Sequence, residues 1–132
     1  MRGPAMLVAA CIISVSAAVS ADPRANFILH CGGCHLPDAA GVPPSVPSLR
    51  NTLGLIVATP EGRDYIVRVP GASQTPLTDD ELAAVMNWVL LTYNQDTLPA
   101  NFKLLSGREV GKSRSRVLAD PQKLRDSLWP DY

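Results

Sequence analysis

Downstream of residue 77, apolar positions recur three or four residues apart, which is the spacing of one face of a helix. This stretch opens on a capping box, in which Thr78 and Glu81 can each satisfy a backbone N–H group of the other. The pattern predicts a helix that buries one apolar face. That face comprises Leu82, Val85, Met86, Val89, Leu90 and Tyr93, with Trp88 beside it.

Caps and prolines predict two earlier helices. Pro23 suits the first turn of a helix that should run through Leu29. Thr59 and Glu61 supply a cap and a first-turn acid for a second helix, which should stop before Pro70. The chain is therefore predicted to be all-α, with about three core helices.

Prolines also predict the loops between these helices. Residues 36–47 contain four prolines, which remove backbone donors and disfavour helix. Residues 69–76 form a second predicted loop. After Pro99 the chain becomes a polar, basic tail, in which Ser106 and Asp120 could each cap a short helix. The low apolar content of this tail predicts that it packs on the surface.

The first 21 residues have the pattern of a secretory signal peptide. Arg2 is their only charge, and an apolar run over residues 5–19 ends at a small-x-small cleavage pattern. This run is too short to span a membrane. Residues 8–11 also resemble a lipoprotein processing site, but few apolar residues precede Cys11, which favours cleavage after Ala21. We therefore expect a periplasmic protein in which residues 22–99 form one domain and residues 100–132 a basic extension that packs on it or docks from it.

Charge is distributed unevenly over the exported chain. Residues 22–99 carry four basic and eight acidic side chains, whereas residues 100–132 carry seven basic and four acidic ones. A nucleic-acid partner would call for a basic face, and none is predicted for the domain. The asymmetry can orient the molecule towards a charged partner, but a solvated helical face is the more usual explanation.

Residues 31–35 read Cys-Gly-Gly-Cys-His, the pattern of covalent haem attachment. Two thiols about one helical turn apart suit the two vinyl groups on one edge of a haem. Cys31 and Cys34 would each add to a vinyl group to form a thioether, and His35 would be the proximal iron ligand. Ligating histidines usually donate their other ring nitrogen, and we expect the partner to be a carbonyl in residues 43–48. The predicted cofactor is one covalently attached haem c.

Three other kinds of site contain cysteines at this spacing. A dithiol redox motif usually sits in a βαβ context, which the apolar pattern does not show. A structural zinc site needs four nitrogen or sulfur ligands, and the exported chain adds only His30, directly beside Cys31. A disulfide is compatible with export but leaves His35 unexplained. Haem accounts for all three motif side chains.

From about residue 22 to residue 93 the sequence resembles class I c-type cytochromes. The resemblance implies a fold in which the first and last helices cross and one haem edge is exposed for electron transfer. It also implies that Phe27 meets the face formed by Val85, Trp88 and Val89. The tail after residue 99 lies outside the usual pattern. The matching features are Phe27 four residues before the first cysteine, the motif, the proline-rich loop, and the helices with Gly62-Arg63-Asp64-Tyr65 and Leu77-Thr78-Asp79-Asp80-Glu81-Leu82.

The same resemblance implies a second axial ligand, typically a methionine followed by proline in the loop before the last helix. Val69 stands at that position, followed by Pro70, and valine cannot bind iron. Met86 is the only methionine left after the signal peptide and is the distal candidate, although its place on the apolar face is typical of core packing.

Other distal groups remain open. His30 adjoins the attachment site, Gln74 lies in the right loop but is a weak donor, and Lys103 could fold over from the tail. The site could also be open or hold water. Without a methionine ligand, the reduction potential should be lower than the family norm.

These features favour an electron carrier over an enzyme, because the sequence shows neither an acid–base pair nor a nucleophile constellation. The expected partners are redox proteins, with a dehydrogenase as donor and an oxidase or another cytochrome as acceptor. Two alternatives stay open. One is an open sixth site that binds gases or peroxide, and the other is a dedicated haem subunit of a larger oxidoreductase.

Overall fold

The computed structural model describes residues 21–129, so residues 1–20 of the predicted signal peptide, including Cys11, lie outside the described residues. Within them the prediction of an all-α chain is confirmed, since the regular elements are helices and one isolated antiparallel bridge joins Val42 to Val46. No helix in this part of the chain is both long and apolar enough to cross a membrane. The helices are α1 (Pro23–His30), α2 (Gly32–His35), α3 (Thr52–Ile56), α4 (Pro60–Arg68), α5 (Pro70–Ser73), α6 (Asp79–Tyr93), α7 (Gly107–Arg114) and α8 (Pro121–Leu128).

The main helices begin where their caps predict. The hydroxyl of Thr59 accepts a hydrogen bond from the N–H of Gly62 at the start of α4, over 3.0 Å. At the start of α6 the capping box is complete. The N–H of Glu81 donates to the hydroxyl of Thr78 over 3.3 Å, and the N–H of Thr78 donates to the Glu81 carboxylate over 2.9 Å. Each bond satisfies a donor that the first helical turn leaves without a partner.

Helices α1 and α6 pack on each other at the centre of the molecule. The side chain of Phe27 is fully buried, and its ring lies 5.3 Å from the ring of Trp88. Val85 and Val89 on the same helix are buried beside it. The contact expected between Phe27 and the face of the last long helix is therefore confirmed.

Two short helices were missed. Residues 69–76 were expected to be a loop, yet α5 occupies most of that stretch. Pro70 supplies its first turn, and the carbonyl of Val69 accepts hydrogen bonds from the N–H groups of Ala72 and Ser73. Helix α3 likewise follows Asn51, whose φ of 63° turns the chain into it. Helices of one turn have no room for an apolar repeat, so the period of the sequence cannot reveal them.

The tail is more deeply packed than its composition indicated. Leu105, Val110 and Leu118 are buried in the same core as α4 and α6, so the expectation of surface packing is wrong for these side chains. Polar contacts place them there. The amide of Asn87 on α6 pairs with both backbone groups of Leu105, over 2.9 Å each, and Arg63 on α4 pairs with Glu109 on α7. Spacing within the tail shows none of these distant partners.

Candidate haem site

A cavity of about 380 Å³ lies between the residue 31–35 motif, α4, α5 and α6. This volume is within the range of small-molecule and cofactor sites, which are mostly apolar. The walls are built by the faces that the helices turn inwards. They include Phe27, Leu49, Leu53, Tyr65, Ile66, Leu82, Val85 and Val89.

The three motif side chains line this one cavity. They are brought together by a helical turn, because the N–H groups of Cys34 and His35 both donate to the carbonyl of Cys31, over 3.2 and 2.9 Å. Cys31 is half-buried and Cys34 is exposed, and both thiols are free. Burial raises the pKa of the Cys31 thiol, and the neighbouring Cys34 adds to this effect. Two thiols and an imidazole thus face the same space.

The imidazole of His35 is oriented by the proline-rich loop. Its Nδ1 atom lies 3.1 Å from the carbonyl oxygen of Pro47. Since a carbonyl only accepts, Nδ1 carries the proton and Nε2 keeps its lone pair. Burial lowers the pKa of His35, against the opposing effect of this hydrogen bond, so the ring favours the neutral form. The expected carbonyl partner in residues 43–48 is confirmed as Pro47.

Another part of the cavity wall is formed by α5 and the residues around it. Val69, Gly71, Ala72 and Thr75 line the cavity there. Val69 is half-buried and packs against the core. The stretch that contains Val69 and Pro70 therefore reaches the cavity.

The other distal candidates separate into two groups. Met86 and His30 both line the cavity, and Met86 is half-buried on the apolar face of α6 beside Val85. Gln74 is exposed, and it is not among the cavity-lining residues. Lys103 lines a separate surface groove beside Phe102. Of these four side chains, the structure brings two to the site.

The residues present fit a covalently attached haem. The cavity is mostly apolar and within the size range of cofactor sites. Two free thiols lie at the correct spacing on its wall, and an imidazole with an available lone pair lies beside them. His35 would bind the iron, with Cys31 and Cys34 forming the thioethers.

Three residues at or near this site were not predicted from the sequence. Arg114 on α7 reaches the segment between α5 and α6, Asn94 joins the end of α6 to α3, and Arg125 on α8 lies on the cavity wall. The caps at residues 106 and 120 predicted the two tail helices. Where these two helices pack depends on contacts between residues far apart in the chain, and no local pattern records those contacts.

An all-α fold around a cavity lined by this motif resembles the arrangement of c-type cytochromes. The comparisons agree. The chain is 28% identical over 120 residues to cytochrome c-552 of Thermus thermophilus, across 77% of this chain and 92% of that relative. It is also 28% identical to a second cytochrome c-552 of Thermus thermophilus, across 77% of this chain and 81% of that protein. No protein-family model matches the chain. Motif and similarity together support one covalently attached haem c as the cofactor.

Proposed function

We propose that this protein is a monohaem c-type cytochrome that transfers single electrons between redox proteins. The observation that supports it most strongly is the convergence of Cys31, Cys34 and His35 on one apolar cavity, with the ring of His35 held by the carbonyl of Pro47. In this proposal the two cysteines anchor the haem and Nε2 of His35 ligates its iron. When bound, the haem supplies one-electron redox chemistry.

The chain's own residues set the conditions for that chemistry. Apolar side chains from α1, α4 and α6 dominate the lining of the cavity and would pack against the haem. The Pro47 carbonyl increases the basicity of His35 by accepting the hydrogen bond from its Nδ1–H group, as a partner of a ligating histidine does. Exposure of Cys34 leaves one side of the attachment site at the surface, where an electron can pass to a docked partner.

The proposed setting is the periplasm, with a dehydrogenase as electron donor and an oxidase or another cytochrome as acceptor. The signal pattern of residues 1–21 supports export, and covalent haem attachment takes place after export. Similarity to cytochrome c-552 supports the carrier role over an enzymatic one. Reoxidation of the reduced protein by a periplasmic cytochrome or a terminal oxidase tests this role, and failure with every such acceptor contradicts it.

On the distal side we propose that Val69 replaces the methionine of the family and leaves no ligand in that segment. Two states follow, ligation by Met86 or a sixth position open to water. Met86 supplies the one thioether among the described residues that line the cavity. A methionine-to-iron charge-transfer band in the oxidised protein, lost in Met86→Leu, would establish the first state. Rapid binding of carbon monoxide by the reduced protein, equal in wild type and M86L, would establish the second.

The attachment itself is tested by expressing the full chain together with the haem maturation machinery. The exported protein should keep its haem after denaturation and show the spectrum of two thioethers. Cys31→Ala and Cys34→Ala should each shift that spectrum to the one-thioether form. The matched control is Cys11→Ala, which removes the remaining cysteine and should change nothing. A wild-type protein that releases its haem on denaturation overturns the proposal.

A further inference from the structure

The C-terminal tail contributes directly to the wall of the haem cavity. Pro121, Gln122 and Arg125 of α8 line it together with residues of the core. These residues lie far beyond the region that resembles class I cytochromes, so the family pattern gives them no role.

Helix α8 is capped at its start and contacts the core just past its end. At its start the Asp120 carboxylate accepts a hydrogen bond from the N–H of Lys123 over 2.9 Å. Just past its end, the ring of Trp129 lies 5.4 Å from the ring of Tyr65, which is itself a cavity residue on α4. The helix is thus fixed against the cavity.

Arg125 lies between the cap at Asp120 and the ring contact of Trp129. Its side chain is only 13% exposed, and it is the one permanently cationic side chain among the described residues that line the cavity. Its Nε atom forms an ion pair of 3.6 Å with Asp126, whose carboxylate is 60% exposed. A guanidinium has five N–H donors in a planar fork, so it can serve more than one acceptor at the same time.

The chemistry of the cofactor matches this placement. A haem is an apolar ring with two carboxylate side chains, and the rest of the lining is dominated by apolar groups. Burying a carboxylate is costly unless a cation and hydrogen bonds compensate it. Arginine is the side chain best suited to that role, because its fork binds both oxygens of a carboxylate.

We propose that Arg125 binds a carboxylate side chain of the haem, which makes the C-terminal tail part of the cofactor site. This inference rests on the proposed haem function. A positive charge at this position offsets the negative charge of the carboxylate and stabilises the reduced iron, which carries one positive charge less than the oxidised iron. Arg125 therefore raises the reduction potential and ties α8 to the cofactor.

The experiment measures the midpoint potential of the full-length holoprotein by spectroelectrochemistry at one pH and ionic strength. Arg125→Gln should shift the potential to a lower value, Arg125→Glu should lower it further, and Arg125→Lys should stay close to wild type. The matched control is Lys123→Gln, an exposed residue on the same helix, which should leave the potential unchanged. This order follows charge, which a merely structural role of the side chain would not reproduce.

The outcomes separate the two proposals. A purified chain without covalently bound haem overturns the haem function and this inference with it. A haem-loaded R125Q with the potential of K123Q overturns the role of Arg125 alone. If R125Q loosens α8, R125K still decides the question, because it keeps the charge. A potential in R125K as low as in R125Q contradicts the proposal.

Discussion

The guanidinium of Arg114 donates a hydrogen bond to the carbonyl oxygen of Thr75 over 2.7 Å. It also donates to the carbonyls of Leu77 and Ser73, over 2.8 and 3.2 Å. These carbonyls belong to the last residue of α5 and to the segment between α5 and α6, where backbone acceptors have no continuing helix to satisfy them. One tail side chain therefore fixes the segment that contains the cavity residue Thr75.

Replacing this guanidinium should weaken the fold. We expect Arg114→Gln to lower the free energy of unfolding by about 1–3 kcal/mol, because carbonyl oxygens shielded from water lose a charged donor. The free energy of unfolding of Arg114→Lys should lie between those of the wild type and R114Q, because lysine keeps the charge but lacks the planar guanidinium. Denaturant unfolding of the holoprotein measures the difference. The control Lys112→Gln, exposed on the same helix, should change stability by less than about 0.5 kcal/mol. Equal stability of R114Q and K112Q would show that the segment does not depend on Arg114.

Gly41 controls the loop that orients His35. Its φ of +65° suits glycine, and a Cβ atom there would lie 2.6 Å from the carbonyl oxygen of Pro47, the partner of His35. Gly41→Ala should destabilise the protein by at least about 1 kcal/mol and displace that carbonyl. The displacement should appear as a changed midpoint potential of the holoprotein, since partners of a ligating histidine tune the metal.

Gly33→Ala, in α2 rather than in this loop, is the matched glycine-to-alanine control. A Cβ atom at Gly33 meets nothing within 4 Å, so both thermal stability and potential should stay close to wild type. If G41A behaves as G33A does, the loop adjusts without moving Pro47 and the proposed link to His35 is wrong.

The haem motif and the helices that flank it could be predicted because their signals are local. Thr78 and Glu81 are three residues apart and form the capping box that this spacing predicts. A ligating histidine usually donates its other ring nitrogen to a carbonyl, and the proline-rich loop that follows His35 was expected to supply it, so Pro47 could be anticipated within a few residues.

The rest depends on partners that the sequence does not place next to each other. Arg63 and Glu109 are 46 residues apart in the chain, yet their side chains meet at 2.7 and 2.8 Å. The basic tail was therefore difficult to place. Two of its cations, Arg114 and Arg116, pair with Asp79 and Asp64 of the acidic domain, so part of the charge asymmetry serves contacts within the molecule.

Asn94 illustrates the same limit, because two of its hydrogen-bond partners lie 40 and 45 residues away in the sequence. Its fully buried side chain accepts from the N–H of Gly54 over 3.1 Å and donates to the carbonyls of Leu49 and Val89, over 2.9 and 3.3 Å. Asn94→Ala leaves buried backbone groups without partners and should cost more than about 2 kcal/mol. Denaturant unfolding provides the test. Asn101→Ala, at an exposed position, should have almost no effect, and an equally small loss in N94A would contradict this bonding pattern.

The ion pair between Arg63 and Glu109 should make stability depend on pH in the acid range. Hydrogen bonds from Arg63 are the main cause that lowers the pKa of Glu109. The folded state therefore binds this proton more weakly than the unfolded state, in which a glutamate titrates near pH 4.3. The stabilisation is complete above that value and is lost as the pH falls through the lower folded pKa.

Glu109→Gln should remove this contribution, costing about 1 kcal/mol at pH 7 and progressively less below pH 4. Unfolding free energies of the holoprotein at pH 7 and near pH 3.5 measure the change. Glu61→Gln is the matched control, because it removes an exposed carboxylate from α4 and leaves the pair with Arg63 intact. The gap between wild type and E109Q should narrow on acidification, whereas the gap for E61Q should stay small. A difference between wild type and E109Q that is the same at both pH values would show that the pair does not link α7 to α4 energetically.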